Sequence, residues 1–454
     1  MHQTLIIDHR RWQILAVVVA AQFVFVVDAF IVNVAIPTIR LDLHATGGEM
    51  QAVIAVYQIA YATMVITGGR LGDIHGRRRL FITGVIGFAL ASLWCGLAGS
   101  GIDLISARLA QGATAALMVP QVLATIHTLF PDAGRHKAFA IFGVALGLGG
   151  AAGFALGGWL VTADIAGLGW RAVFLVNLPI CGVIAIAAQN LMPRSNRRPD
   201  VHLDSPGAIL LFLALSALVG PVMAGHDLGW PVWLWAVMAA GAILLPVFLR
   251  LERAVARRGG MPLVDLALLH DTMFLRGLAT VFAFQFGNIA FYLVITLFMQ
   301  GQLGFSPLRA GLAVVPLALA FTLASRLAGP WVSRHGIRPL LLGCAIQLAG
   351  ITALGAEVAW LVQPELPIIM AVLTLFGFGQ GLVMAPLSGL ALITVRPAHA
   401  GSGAGMLNTI HQAAGATGVS LVGLLGFNGH ILGALVLLGC ASIATAVLLL
   451  GMRN

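Results

Sequence analysis

Charged residues are scarce in this 454-residue chain, and their scarcity indicates the solvent that surrounds it. Only 9% of the residues are Asp, Glu, Lys or Arg, whereas soluble domains carry about 25%. Hydrophobic residues make up 59%, and the mean hydropathy is +0.98. This composition predicts an integral membrane protein. Because the polar stretches between hydrophobic runs are short, we expect no separate soluble domain.

The chain also lacks the motifs of disulfide, metal and nucleotide sites. Its four cysteines stand singly in apolar runs without a CxxC pair, so neither a disulfide framework nor a metal site is expected. No GxxxxGK[ST] phosphate-binding loop occurs, which excludes nucleotide hydrolysis by a loop of this kind. We therefore expect no metal, no cofactor and no enzymatic activity.

The glycine-rich segment 147–158 lacks both the GxGxxG spacing of dinucleotide sites and a preceding strand. It lies inside a hydrophobic run, where small residues let helices approach closely. We predict this role for four glycines, Gly149, Gly153, Gly157 and Gly158.

Fourteen hydrophobic runs are long enough to cross a bilayer, each of about 20 residues. We place them at 12–36, 50–69, 80–99, 102–128, 137–161, 169–192, 205–223, 231–250, 274–299, 307–330, 338–358, 367–393, 402–426 and 430–451. Lys and Arg are retained on the cytoplasmic side of a membrane. When the loops are counted alternately, only Arg40, Arg171 and Arg309 fall on the other side, and Arg108 lies inside a run. This bias predicts a multi-pass protein with both termini in the cytoplasm, in the plasma membrane, as in a bacterial inner membrane.

The net charge of +9 is spread over the short loops of one membrane face. No basic domain is left to hold a strand of nucleic acid, so nucleic acid is not expected as a partner. The lipid bilayer itself is the partner that this composition requires.

An internal repeat divides the chain. The segment GRLGDIHGRR from Gly69 aligns without gaps with GPWVSRHGIR from Gly329. Each copy joins the second and third runs of a six-run set if the pair 205–250 is treated as an insertion. We therefore predict an N-terminal half at 12–192, two inserted helices at 205–250 and a C-terminal half at 274–451. Paired halves around a central cavity are typical of alternating-access transporters.

One acidic and one basic residue lie deep inside runs, namely Asp28 and Arg108. At about 1.5 Å per residue, they lie about 12 Å and about 10 Å from the outer ends of their helices. A lone charge in hydrocarbon is costly, so the two can compensate each other. Two interpretations remain open: an ion pair that only fixes helix packing, and a proton or cation site.

Further polar residues lie inside the runs, and together they indicate a wet interior. Individually, such a residue more often makes a hydrogen bond between helices than a ligand contact. The candidates for a substrate cavity are Asn33, Gln58, Gln111, Gln285, Asn288, Asn408, His411 and Gln412.

Several of these segments resemble the major facilitator superfamily, and within it the fourteen-helix branch of drug:proton antiporters. GGRLGDIHGRRRL resembles the superfamily's loop between helices 2 and 3, DAFIVNVAIP its helix 1 signature, and RLAQGATAA its helix 4 motif. GWRAVFLVNLP, QGQLGFSPLRAGLAVVP and GSGAGMLNTIHQAAGATGVSLVG also resemble segments typical of the branch.

The resemblance implies the major facilitator fold and proton coupling through Asp28 and Arg108. It further implies a cytoplasmic latch between the halves, formed by Gly69, Asp73, Gly76, Arg77 and Arg78. Two positions depart from the branch pattern: Phe154 stands where proline is usual in helix 5, and His411 stands where arginine is common.

The resulting hypothesis is a monomeric multidrug efflux antiporter in which a proton and a lipophilic cation compete for Asp28. Arg108 at the same depth leaves open an anionic substrate, and proton-coupled transport of a metabolite or siderophore is the alternative function. A membrane-embedded transferase is a remote alternative, because Asp200 and Asp204 stand one helical turn apart. However, Asp204 before Ser205 and Pro206 is typical of a helix N-cap.

Overall fold

The computed structural model describes residues 2–130, 134–193, 204–258, 260, 262–264, 266, 268–360, 365–395 and 400–452. Within these residues, fourteen helices or helix pairs are long and apolar enough to cross a membrane. The prediction of an all-α, multi-pass membrane protein with fourteen spans is confirmed.

The helices of the first six spans are α1 (His2–Asp42), α2 (Gly47–His75), α3 (Arg77–Leu97), α4 (Gly101–Leu129), α5 (Gly134–Ala163), α6 (Ala172–Leu175) and α7 (Asn177–Leu191). The inserted pair is α8 (Ser205–Leu228) and α9 (Val232–Arg257). The last six spans comprise α10 (Thr272–Thr296) with a π-helical turn (Leu297–Gln302), α11 (Pro307–His335), α12 (Arg338–Trp360), α13 (Leu366–Ala391), α14 (Ala400–Phe427) and α15 (Ile431–Leu450). Most of these helices extend a few residues beyond the hydrophobic runs, into polar residues that lie at the ends of each span.

The sixth span is continuous, as the sequence predicted, with a local interruption of its helical hydrogen bonding between α6 and α7. Val176, the residue between the two helices, keeps right-handed helical angles, with φ −60° and ψ −25°. Proline has no backbone N–H, so Pro179 cannot donate to the carbonyl four residues earlier, which belongs to Leu175. The side chain of Asn177 lies inside the bundle, where it is 1% exposed.

Two close seams join α1–α7 to α10–α15. In one seam α2 packs on α14, and in the other α5 packs on α11. Glycines contribute to both seams: a Cβ on Gly405 of α14 would lie 2.9 Å from the Ile66 side chain of α2, and one on Gly158 of α5 would lie 2.4 Å from the Pro307 oxygen of α11. This packing is compatible with the proposed halves at 12–192 and 274–451.

We call the side on which α2 ends and α3 begins the basic side, after Arg70, Arg77, Arg78 and Arg79; the other is the opposite side. On the opposite side, Gln300 Nε2 donates to the Val34 oxygen at 2.9 Å, and the Leu308 N–H donates to Thr162 Oγ1 at 3.1 Å. The rings of Phe30 and Phe154 pack on Tyr292, with centroid distances of 5.0 and 5.3 Å. The structure is therefore closed on its opposite side.

The inserted helices pack on one seam only. The first of them, α8, contacts both α2 and α14, and α9 packs on α8. On the opposite side, Asp227 of α8 accepts from the Gly48 N–H at the start of α2, at 2.9 Å. On the basic side, Arg70 of α2 donates to the Pro262 oxygen in the linker after α9, at 2.5 Å. The inserted pair is thus attached to α2 near both membrane faces.

Candidate functional site

The Asp28 and Arg108 side chains, predicted to lie at similar depth, form a direct ion pair. Arg108 Nη1 donates to Asp28 Oδ2 at 2.6 Å, and the two side chains are 1% and 0% exposed. The other carboxylate oxygen, Oδ1, accepts from Gln111 Nε2 and from Asn177 Nδ2, each at 2.8 Å. Both oxygens therefore have donors, as a carboxylate away from water requires.

The arginine is held as closely as the acid. Its Nε donates to the Val53 oxygen at 3.2 Å, and its Nη1 also donates to Gln111 Oε1 at 2.6 Å. Its guanidinium carbon lies 4.0 Å from the ring centroid of Tyr57, a cation–π contact. Val53 and Tyr57 both belong to α2, so α1, α2, α4 and α7 all meet at this pair.

Sequence reasoning missed two members of this network. Asn177 and Ser92 lie on α7 and α3, and Ser92 Oγ accepts from Gln111 Nε2 at 2.8 Å and from Asn177 Nδ2 at 3.3 Å. The available signal for Asn177 was the pair of Asn177 and Pro179 inside an apolar run, a polar side chain beside a helix breaker. Ser92 has no such signal, because serine bonds to its own helix in most membrane spans.

Replacing Asn177 by alanine is expected to destabilise the folded protein by about 1–3 kcal/mol, because Asp28 loses a buried donor. The measurement is thermal unfolding of purified protein in detergent. Asn33→Ala is the matched control, since Asn33 Nδ2 bonds only to carbonyls of its own helix, at 3.1 and 3.4 Å. Equal destabilisation by both substitutions would contradict the role given to Asn177.

A second polar network lies among the last six spans and contains no charged residue. Asn288 Nδ2 donates to Gln285 Oε1 at 2.9 Å, Gln380 Nε2 donates to Asn288 Oδ1, and the Tyr292 hydroxyl donates to Gln380 Oε1 at 3.1 Å. A cavity of about 10 Å³ beside it is lined in part by Asn288, Gln347, Ser442 and Thr445. This volume and polarity suit a single water molecule.

The two networks occupy matching places in the two copies of the repeat. Asn288 stands as far before Gly329 as Asp28 stands before Gly69. Gln111 and Gln380 each precede a glycine that packs on a carbonyl of the second helix of its half: Gly112 on Tyr57, and Gly381 on Phe321. The same scaffold therefore carries an ion pair in one half and neutral amides in the other.

The remaining cavity candidates do not join either network. Gln58 lies at the seam of α2 and α14, where a Cβ on Gly415 would lie 2.7 Å from its Oε1. Asn408 Nδ2 lies 3.5 Å from the Tyr61 hydroxyl at the same seam. His411 and Gln412 follow on α14 and are partly buried. The residues predicted to line one substrate cavity are thus distributed over the ion-pair network, the amide network and a seam. Their role in substrate binding stays a prediction.

The residues predicted to form the latch contact one another and their own half. Arg77 Nη2 lies 3.4 Å from Asp73 Oδ1, and Arg77 Nη1 donates to the Ala124 oxygen and to Thr128 Oγ1 of α4, at 3.0 and 2.6 Å. Arg78 donates to the Gln189 oxygen of α7. These contacts do not bridge the halves, so a bridging latch stays a prediction for a state that is closed on the basic side.

The glycines of this segment have two separate roles. Gly76 has a φ of 94°, which favours glycine, between α2 and α3. Close approach to α4 occurs at Gly68 and Gly72, where an added Cβ would lie 2.0 Å from the Ala116 oxygen and 2.2 Å from the Gln121 side chain. At Gly69 the nearest atom is 3.9 Å away, so the predicted close contact lies one residue earlier and three residues later.

The four glycines predicted for helix 5 all lie at helix interfaces. A Cβ on Gly149, Gly153 or Gly157 would lie 2.8–2.9 Å from atoms of α1. Gly158 faces α11 instead. Phe154, at the position where proline is usual in the branch, fills the gap between the halves with its ring.

These features define a secondary transporter of the alternating-access type, and sequence comparison assigns its family. Residues 18–249 and 207–419 match the family model of the Major Facilitator Superfamily. The chain belongs to this superfamily, whose members are transporters and not enzymes. Of the two acids that suggested the remote transferase alternative, Asp204 caps α8 through the Gly207 N–H at 2.9 Å, and Asp200 lies outside the described residues.

Two named proteins and one solved structure are similar to this chain. The chain is 36% identical to the probable actinorhodin transporter of Streptomyces coelicolor, over 92% of this chain and 73% of that protein. It is 35% identical to the cephamycin export protein CmcT of Amycolatopsis lactamdurans, over 88% of this chain and 82% of that protein. The crystal structure of a POT family transporter has the same fold, with a TM-score of 0.72 at 13% identity over 97% of this chain and 96% of that one.

Proposed function

We propose that this protein exports small lipophilic compounds, foremost cationic drugs and toxic compounds, in exchange for protons. The observation that carries the proposal is the buried ion pair of Asp28 and Arg108, which lies among α1, α2, α4 and α7. A carboxyl group placed in this way is the site that a proton-coupled transporter needs. Relatives named for actinorhodin transport and cephamycin export support a small-molecule substrate and the outward direction.

The proposed orientation places the basic side in the cytoplasm. Lys and Arg are retained there during insertion, and the loops of this side hold most of the basic residues. Both termini then face the cytoplasm of a bacterial cell, and the protein is a monomer in its plasma membrane. The halves at 12–192 and 274–451 rock against each other along the two glycine seams, while the inserted pair 205–250 moves with α2.

Coupling through Asp28 is indirect in this proposal. The carboxylate is 0% exposed and accepts from Arg108, Gln111 and Asn177, so a substrate cannot reach it in the described conformation. Direct competition between proton and substrate is therefore replaced by a linked sequence. A proton on Asp28 removes the charge that Arg108 requires, the ion pair opens, and α1, α2, α4 and α7 rearrange around it.

The substrate is proposed to bind between the halves and not at the ion pair itself. Gln58 and Asn408 line the seam of α2 and α14, His411 and Gln412 follow Asn408 on α14, and the neutral amides of Gln285 and Asn288 lie in the C-terminal half. Partly apolar walls with a few amide groups suit lipophilic molecules of varied shape.

The test is substrate-driven proton movement in proteoliposomes that contain a pH-sensitive dye. A panel of lipophilic cations, neutral compounds and organic anions is added to protein reconstituted in a known orientation. We expect cations to release protons in the antiport direction, and a protonophore to abolish their uphill transport. Movement of anions alone would instead favour an anion exporter, and symport of a metabolite or siderophore with protons would favour uptake.

A further inference from the structure

Two acidic side chains outside the Asp28 site share a buried space at the basic ends of the inserted helices. Glu252 of α9 is 0% exposed, and Asp204, the N-cap of α8, is 6% exposed. One oxygen of each has a partner: Asp204 Oδ1 accepts from the Gly207 N–H and Glu252 Oε2 accepts from the Val264 N–H, both at 2.9 Å. The other oxygens, Asp204 Oδ2 and Glu252 Oε1, are buried without a hydrogen-bond donor.

These two oxygens face the same small volume. A Cβ on Gly207 would lie 2.5 Å from Glu252 Oε1 and 2.7 Å from Asp204 Oδ2. The two side chains also interact with each other directly. Ionised carboxylates only accept hydrogen bonds, so two of them repel at this range. One proton between the two oxygens supplies the missing donor and removes one of the two charges.

Arg70 is a positively charged neighbour of the pair. Arg70 of α2 interacts electrostatically with both acids and donates to the Pro262 oxygen of the linker. The linker itself faces Glu252 with the backbone N–H groups of Leu263 and Val264.

We propose that Asp204 and Glu252 form a proton-binding site, separate from Asp28, that fastens the linker Pro262–Val264 to α2, α8 and α9 while its proton is bound. The proton comes from and returns to the solvent of the basic side, since Glu252 lies five residues, about 8 Å, before the end of α9. Loss of the proton drives the two carboxylates apart. Glu252 then shifts away from α8, and the linker, which is bonded to it through the Val264 N–H, shifts with it. The side chain of Leu263 thereby loses its packing against Leu211 and Phe248.

This site makes the inserted helices responsive to the proton concentration on the basic side. The linker joins α9 to α10, and Arg70 belongs to the segment predicted to act as the latch. Release of the linker therefore loosens the connection between the inserted pair and the C-terminal half. The effect on transport rests on the proposed function, whereas the proton site itself does not.

The first experiment detects the shared proton by infrared difference spectroscopy of the full chain in lipid nanodiscs, titrated through neutral pH. We expect a carbonyl band of a protonated carboxylic acid that disappears as the pH rises, and that is missing in both Glu252→Gln and Asp204→Asn. Both substitutions keep the local structure, because glutamine still accepts from Val264 and asparagine remains a good N-cap. Glu357→Gln is the matched control and should leave the band in place. This substitution removes another buried acid, which lies near the end of α12 on the opposite side of the membrane.

The second experiment measures hydrogen exchange of the linker in the wild type and in Glu252→Gln at the same series of pH values. The intrinsic exchange rate changes with pH equally in both proteins, so the comparison with Glu252→Gln removes this effect. We expect the wild-type linker to lose protection at alkaline pH by at least about tenfold more than the variant, which corresponds to about 1.4 kcal/mol. A missing band, or a band unaffected by both pair substitutions, overturns the proton site; identical exchange in the two proteins overturns its hold on the linker. Neither result depends on transport, so failure of the antiporter proposal is recognised separately.

Discussion

Asparagine in place of Asp28 is expected to reduce substrate-driven proton movement to the level of empty liposomes. The substitution keeps the shape of the side chain, and Oδ1 can still accept from Gln111 and Asn177. It removes the one feature that the proposed cycle needs, a group that alternates between a proton and the Arg108 ion pair. The measurement is the dye signal in proteoliposomes, with any compound that the cation panel identifies.

The control for this variant is Asp42→Asn. Asp42 also pairs with an arginine, Arg171, at 2.7 Å, but this pair lies at the opposite face with side chains 46% and 32% exposed. Exposed pairs of this kind contribute little, so proton movement should stay near the wild-type level. A variant at Asp28 that still moves protons like the wild type would remove Asp28 from the coupling mechanism and leave the ion pair a packing element.

Alanine in place of Gly158 is expected to prevent closure of the opposite side and to reduce transport at least about tenfold. An added Cβ would lie 2.4 Å from the Pro307 oxygen and 2.9 Å from the Leu308 Cα. Both atoms are backbone, so they cannot rotate away as a side chain can, and the clash lies between the halves. The seam of α5 and α11 must therefore widen, which favours a conformation that is open on the opposite side.

The measurement is the distance between spin labels at Leu41 and Asn428, which are exposed positions at the opposite ends of α1 and α14. We expect a longer distance in Gly158→Ala than in the wild type. Gly150→Ala is the matched control on the same helix, because its new Cβ meets only the Phe30 ring at 3.6 Å, an ordinary contact. If both variants show the wild-type distance and transport rate, closure does not depend on this glycine.

The fold could be predicted from the sequence because a bilayer permits few alternatives. Every crossing must satisfy its own backbone, so each long apolar run becomes a helix. The alternation of basic loops then constrains the number of runs. The runs do not show where the hydrogen bonding inside a span is interrupted. The interruption before Pro179 depends on a single residue whose effect in a membrane span varies with its neighbours.

The candidate site was predicted in part. Asp28 and Arg108 stand out because a charge inside a span requires a partner, and only these two lie at matching depth. Asn177, Ser92 and the Val53 carbonyl could not be found in the same way, since their contacts join helices far apart in the chain. The amide candidates could be named but not grouped, because the sequence does not show which face of each helix points to which neighbour.

The latch shows a different limit. Its glycines and charges are visible in the sequence, but their partners change with the conformation of the transporter. In the described state Asp73, Arg77 and Arg78 bond within α2, α4 and α7. A single sequence encodes all the states of a cycle and does not label the contacts that belong to each.

The unequal charge of the two matching networks has a consequence for the history of such proteins. Gene duplication supplies two equal scaffolds, and here the acid and base stand in the copy that carries Asp28, whereas the described network around Asn288 is neutral. Exchange of one amide for another in the second copy does not bury a lone charge, so mutations there are tolerated more readily than at the ion pair. A lineage can therefore vary the network of neutral amides by drift while the ion pair stays fixed.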